Sequence, residues 1–179
     1  MAETYTLKIA GLERQLRRFP VNDKLDIAAF IMFGDVELTV KVAEELLKKV
    51  PDFDVILTPE AKSIPLAYEM ARQSGKPYIV ARKGSKVYMG NPLEVSVRSI
   101  TTDHVQHLFL GDTDVQNLKG KKVLLVDDVI STGESLEAVR KLVTEAQGIE
   151  VAACAALAEG DAAKRNDIIF LEPLPLFFK

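Results

Sequence analysis

The sequence has no tryptophan, one cysteine and two histidines among 179 residues. A lone cysteine excludes an internal disulfide framework. Cys154 also sits inside the apolar run Val151–Ala158, so it reads as a buried strand residue in a reducing compartment, not as a nucleophile. His104 and His107 are spaced three apart, but with no cysteine nearby and a strand-like context no metal site is expected. No apolar run approaches the length of a membrane span, and the first residues, Met-Ala-Glu-Thr-Tyr-Thr, lack the basic-then-apolar layout of a signal peptide. A cytoplasmic protein is therefore expected. Excess positive charge is missing too: the net charge is −3, so neither nucleic acid nor an anionic membrane is expected as the main partner. Internal repeats, low-complexity segments and linker-like stretches are absent, and a single domain over residues 1–179 is expected.

What is present centres on Val123–Ser135, which reads Val-Leu-Leu-Val-Asp-Asp-Val-Ile-Ser-Thr-Gly-Glu-Ser. Four branched apolar residues without alternation suit a strand buried on both faces, as in a parallel sheet flanked by helices. Asp127 and Asp128 follow at its carboxyl end, where open α/β sheets place their ligands. The loop Ser131-Thr132-Gly133 then leads into a helical pattern over Ser135–Ala146, and a helix N-terminus behind a glycine-containing loop suits a phosphate. Acids for hydroxyls beside amides for a phosphate make a ribose-5-phosphate clamp. Other readings compete with it. A receiver-type strand carries paired acids, but near the start of its domain. A Walker B strand ends in an acid, yet no Gly-x-x-x-x-Gly-Lys-Ser/Thr partners it. A plain strand–turn–helix capped by Ser131 or Thr132 is the structural alternative.

Around this stretch strands alternate with helical patterns, the mark of an α/β sheet. Gly11–Arg18, with Leu12 and Leu16 among charges, suggests a short amphipathic helix, and Leu25–Phe33 an extended segment. Val36, Val40, Ala43, Leu47 and Val50 share one helical face capped by Asp35, with Pro51 ending it. Strands are expected at Asp54–Leu57 and Tyr78–Ala81, with a helix over Leu66–Ser74 between them. Val95–Ile100 and Val105–Leu110 suit a hairpin, Ile149–Leu157 another strand, and Ile168–Leu171 a last one before Pro173 and Pro175 make the tail irregular.

The central stretch resembles the 5-phosphoribosyl 1-diphosphate (PRPP) binding motif of type I phosphoribosyltransferases. The resemblance extends beyond it and is closest to the adenine phosphoribosyltransferase family, although Glu159-Gly160-Asp161 and Leu171–Phe178 depart from that family's C-terminal pattern. The resemblance implies a twisted, mostly parallel α/β sheet flanked by helices, with a small hood made by about residues 1–34 and part of the C-terminal tail. It implies that Asp127 and Asp128 hold the ribose hydroxyls and that Ser131, Thr132, Gly133, Glu134 and Ser135 wrap the 5′-phosphate. Glu134 stands where many members have a second glycine, so its carboxylate must turn away from the phosphate, where it suits the helix N-terminus. Glu60, Ala61, Lys62 and Ser63 fall on the family's pyrophosphate loop, with Lys62 replacing an arginine and losing its two-pronged fork. Arg82, Lys83 and Lys86 fall on the start of a flexible loop that closes over PRPP. Asp103 stands near the family's proton-transfer glutamate. Phe33 falls on the base-stacking position, with backbone contacts from Met32 and Gly34 and with Val129 facing the base from the other side. The implied reaction transfers 5-phosphoribosyl from PRPP to a purine, first of all adenine, with Mg²⁺ carried by PRPP and no direct protein ligand to it. A homodimer is implied as well. The alternatives are another purine base (hypoxanthine, guanine or xanthine) or a non-catalytic PRPP- or nucleotide-sensing regulator on the same fold.

Overall fold

The computed structural model describes residues 3–98 and 105–179. Its strands and helices, in chain order, are β1 (Thr4–Ile9), β2 (Leu12–Asn22), β3 (Leu25–Ala28), α1 (Val36–Leu47), β4 (Val55–Pro59), α2 (Ile64–Ser74), β5 (Tyr78–Ala81), β6 (Leu93–Arg98), β7 (Val105–Leu110), α3 (Asp112–Leu118), β8 (Lys122–Ile130), α4 (Glu134–Glu145), β9 (Ile149–Glu159), β10 (Ile169–Leu174) and β11 (Phe177–Phe178). Five of the strands form a parallel sheet in the order β10-β9-β8-β4-β5. β8 lies at its centre, with both faces covered. Leu124 and Val126 pack into a core with α1 and α2, whereas Val123 and Leu125 pack into a second core with α4. Continuous apolar sequence is the expected outcome for such a strand.

The helices begin where the sequence places their signals. Asp35 Oδ1 accepts a bond from Leu38 N at 3.1 Å and caps α1. The same carboxylate takes Arg14 Nε at 2.6 Å, which ties β2 to the start of α1 and holds the Asp35 carboxyl below its ordinary range. Pro65 occupies the first turn of α2, where its missing N–H costs no bond.

β1, β2, β3 and β11 make a separate antiparallel sheet in that order. Here the expected helix over Gly11–Arg18 is corrected to a strand. Leu12 and Leu16 are four apart, a spacing that also puts two residues on one face of a strand. Positions 12, 14, 16 and 18 turn inward while 13, 15 and 17 are exposed. Pairing with β1, from Ile9↔Leu12 to Thr4↔Arg17, decided between the two periods. The tail is also more regular than expected. β10 runs through Pro173, which an edge strand tolerates because one side of it needs no ladder bond. β11 then returns to β3, with Phe177 opposite Asp26. The expected hairpin forms as β6 and β7. α3 had no counterpart in the sequence reading.

Candidate functional site

The carboxyl ends of β4 and β8 enclose a cavity of about 260 Å³ lined by Glu60, Lys62, Ser63, Lys83, Asp127, Asp128, Val129 and Ser135, among others. β4 and β8 are adjacent and in register, Leu57 opposite Leu125, so the segments beyond them emerge side by side. The buried Thr58 locks the two together: its Oγ1 donates to Val126 O at 2.8 Å and lies 2.7 Å from Ser63 Oγ. Ser63 Oγ donates to Pro59 O at 2.9 Å, which folds the 60–63 turn back onto the strand. The Glu60–Ala61 peptide in this turn is cis.

Asp128 is 4% exposed and its Oδ2 receives Lys62 Nζ at 2.8 Å, although the lysine side chain itself is half exposed. Asp127 Oδ1 accepts the backbone N–H of Asp128 at 2.8 Å. Burial, then the adjacent Asp128 charge, pushes the Asp127 carboxyl up to about 8, against the pull of Lys62. The ammonium of Lys62 thus pairs with Asp128, while its neighbour Asp127 favours the protonated form.

Behind the acids Gly133 has φ +88°, and a Cβ there would collide with the guanidinium of Arg165. The positive φ calls for glycine, and a side chain there would displace the flexible end of Arg165. α4 starts directly after it; Gly133 has no side chain to cap it, Thr132 Oγ1 accepts a long bond from Glu134 N at 3.4 Å, and the first turn carries Glu134 and Glu137, while its backbone amides point toward the loop. Ser131 and Thr132 are exposed, and Glu134 and Ser135 are partly buried at the helix start. On the opposite rim Glu60 accepts from Arg82 Nε at 3.1 Å and from Lys83 N at 3.0 Å, and these bonds hold its carboxyl below the ordinary range. Arg82 also donates to Tyr88 Oη at 2.9 Å.

A second cavity, of about 360 Å³, adjoins the first and shares Lys62 and Val129 with it; Ile27, Ala29, Ile31, Ser131, Glu159 and Leu174 line it as well. The sequence reading missed this wall of residues 27–31, and it missed Glu159, although an acid closing a buried strand is the same signal that singled out Asp127. Of the residues expected to hold a base, Val129 lines this cavity. Met32, Phe33 and Gly34 do not: Met32 is buried in the core, Phe33 is 54% exposed, and Met32 and Gly34 border a third cavity of about 420 Å³ with Val36, Tyr68 and Tyr78. Asp103 and His104 lie outside the described residues, and His107 Nδ1 lies 2.6 Å from Glu94 Oε1 across the β6–β7 pair. The remaining expected residues, Asp127, Asp128, Ser131 to Ser135, Glu60 to Ser63, Arg82 and Lys83, converge on the carboxyl end of the sheet. Lys86 belongs to the segment that follows, before a short 3-10 turn at Val87–Met89. No helix among the described residues is long and apolar enough to cross a membrane.

A family model for the phosphoribosyl transferase domain matches residues 35–172. A hypoxanthine/guanine phosphoribosyltransferase of Methanothermobacter thermautotrophicus is 32% identical over 142 residues, covering 75% of this chain and 70% of its own length. An adenine phosphoribosyltransferase of Thermosipho africanus is 34% identical over 118 residues, 66% of either chain. Part of each relative thus lies beyond the matched region. A crystal structure of adenine phosphoribosyltransferase from Thermoanaerobacter pseudethanolicus superposes with a TM-score of 0.72 over 88% of this chain and 95% of that one, at 24% identity, a likeness of fold.

Proposed function

The chain belongs to the phosphoribosyl transferase family, and on that premise we propose that it transfers 5-phosphoribosyl from PRPP to a purine base, adenine first among them. The observation that carries this is the joining of two cavities, one charged and one largely apolar, at Val129 and Lys62. PRPP occupies the first and the base the second, so the sugar carbon that reacts lies between them. Asp127 and Asp128 accept the ribose hydroxyls, and the Gly133 turn with the first amides of α4 holds the 5′-phosphate. Lys62, Lys83 and Arg82 bear the pyrophosphate. The bond from ribose C1 to the pyrophosphate oxygen breaks, a base nitrogen bonds to C1, and the nitrogen loses its proton. The sugar passes through a cationic state flanked by carboxylates, and the leaving group departs onto cations.

Mg²⁺ fits as a companion of PRPP. Among the described residues no cluster of three metal-ligating side chains forms, so PRPP itself would supply most of the ion's ligands, and a cation brought beside the acid pair would favour the charged form of Asp127, whose carboxyl is otherwise pushed up to about 8. The ion would neutralise pyrophosphate charge as the bond breaks. Lys62, which bridges to Asp128 without ligand, is free to exchange that carboxylate for pyrophosphate oxygen. Exposed Val36, Tyr68 and Tyr78 beside the third cavity support a homodimer formed through that face. Sedimentation of a single monomeric species at micromolar concentration would remove that part. We place the protein in the cytoplasm. The deciding experiment incubates adenine, hypoxanthine, guanine and xanthine with PRPP and Mg²⁺ and follows nucleotide formation by mass. AMP from adenine is the expected product. Turnover of an oxo-purine instead would change the base, and PRPP binding without turnover of any base would replace the enzyme by a PRPP sensor.

A further inference from the structure

We propose that Glu159 selects the base: its carboxylate accepts an N–H from an amino-bearing purine and repels an oxo group in the same place. This rests on the reading of the second cavity as the base site. Glu159 is the last residue of β9, where it pairs with Leu174 of β10, one position beyond the Ile130↔Ala158 pair with β8. That register brings it to the carboxyl edge of the sheet, beside Val129 and Ser131 and opposite the wall of residues 27–31.

The other groups around the cavity leave it this role. Ile27, Ala29, Ile31, Val129 and Leu174 supply apolar contact for a flat ring and no side-chain hydrogen bond. Lys62 is committed to Asp128 and to the PRPP side. Ser131 is a short hydroxyl on the phosphate loop. Glu159 is partly buried, its side chain does not cap the 3-10 turn that it precedes, and among the described residues its carboxylate has no hydrogen-bond or ion-pair partner. A half-buried carboxylate in apolar surroundings is stabilised by a ligand that donates to it and penalised by one that presents another acceptor. Adenine carries an amino group where hypoxanthine carries an oxo group. Their flat faces are otherwise alike, so stacking alone cannot separate them. A charged acceptor can, and a site built around one polar partner rejects the mismatched analogue more strongly than any apolar pocket does.

The test compares adenine, guanine and hypoxanthine, with PRPP and Mg²⁺, for the wild-type chain and Glu159→Gln. The amide is nearly isosteric and offers a donor in place of one acceptor. The ratio of kcat/KM for the preferred amino-purine to that for hypoxanthine should fall at least tenfold, about the value of one charge-assisted bond over a neutral one. PRPP affinity by calorimetry should not change, because Glu159 does not line the PRPP cavity. Glu159→Asp, which retracts the same charge by one methylene, should keep the preference for an amino-purine at reduced rate. It also serves as the readout if the amide variant does not fold. An unchanged base ratio in folded Glu159→Gln, or a lost amino-purine preference or an unreduced rate in folded Glu159→Asp, overturns the proposal. If the wild-type chain turns over no purine, the proposed function fails separately. Equilibrium binding of adenine and hypoxanthine to wild-type and variant protein then decides the role of Glu159 by the same ratio.

Discussion

Asp128 and Asp127 differ in their partners although they are neighbours in sequence. Asp128 is buried and paired with Lys62, whereas Asp127 meets burial and a like charge. Asp128→Asn keeps the shape of the side chain and removes a charged acceptor, so PRPP binding should weaken by about 1.5–3 kcal/mol in calorimetric titration. Unchanged affinity would exclude the acid pair from the ribose site. Asp127 sets a pH dependence of stability. Its carboxyl holds a proton more tightly when folded than at its ordinary value of 3.8, so between that value and about 8 the folded chain binds more protons than the unfolded one. Stability from this group is therefore greatest at the acid end of the window and falls as pH rises through it. Thermal unfolding of ligand-free protein should show that slope, and Asp127→Asn should flatten it. Parallel slopes for the two proteins would mean that Asp127 ionises normally. The acids were legible in the sequence because a buried strand ending in charge has few purposes. Phe33 was less so: an aromatic before a helix is compatible with a ligand face, a core or a surface, and the fold leaves it exposed.

At the scale of elements, the turn between β8 and α4 depends on Gly133. Gly133→Ala would meet both a left-handed backbone penalty of about 1–2 kcal/mol and the Arg165 guanidinium. The loop should then shift, and affinity for PRPP or for ribose 5-phosphate should drop while the far-UV spectrum stays the same; full affinity would show that this turn does not carry the phosphate. Glycine before a helix was readable from the sequence, but the arginine behind it was not, since Arg165 reaches the turn from beyond β9. The same limit explains β2. Its apolar residues fit two periods, and only its pairing with β1 and β3 selects one. By contrast α1, α2, β5 and the β6–β7 pair were legible because capping residues, Pro65 and alternation are local signals. The missed α3 has no comparable stripe, with Leu118 its one buried residue.

For the whole molecule, the parallel sheet was readable from the alternation of strands and helices, whereas the antiparallel sheet, which joins the first strands to the tail as the family resemblance implies, was not readable from local pattern, because β11 comes from far along the chain. Phe177 is held there edge-on to Tyr5, with ring centroids 5.5 Å apart, and under the Arg18 guanidinium at 4.2 Å. Lys179 Nζ forms an ion pair with Asp26 Oδ1 at 2.8 Å and depresses the Asp26 carboxyl. Phe177→Ala should lower unfolding free energy by about 1–2 kcal/mol through the lost ring contacts; chemical denaturation that gives an unaltered midpoint would show β11 to be a passive rider. β11 also borders β3, and β3 carries Ile27 and Ala28 of the second cavity. Leu174 of β10 lines that cavity beside them, so residues from opposite ends of the sequence meet at it, with β11 bracing β3 from behind. β3 and β11 pair across about 150 residues of chain, a long-range contact that should form late in folding, so the molecule should acquire its preference among bases only near the end of folding.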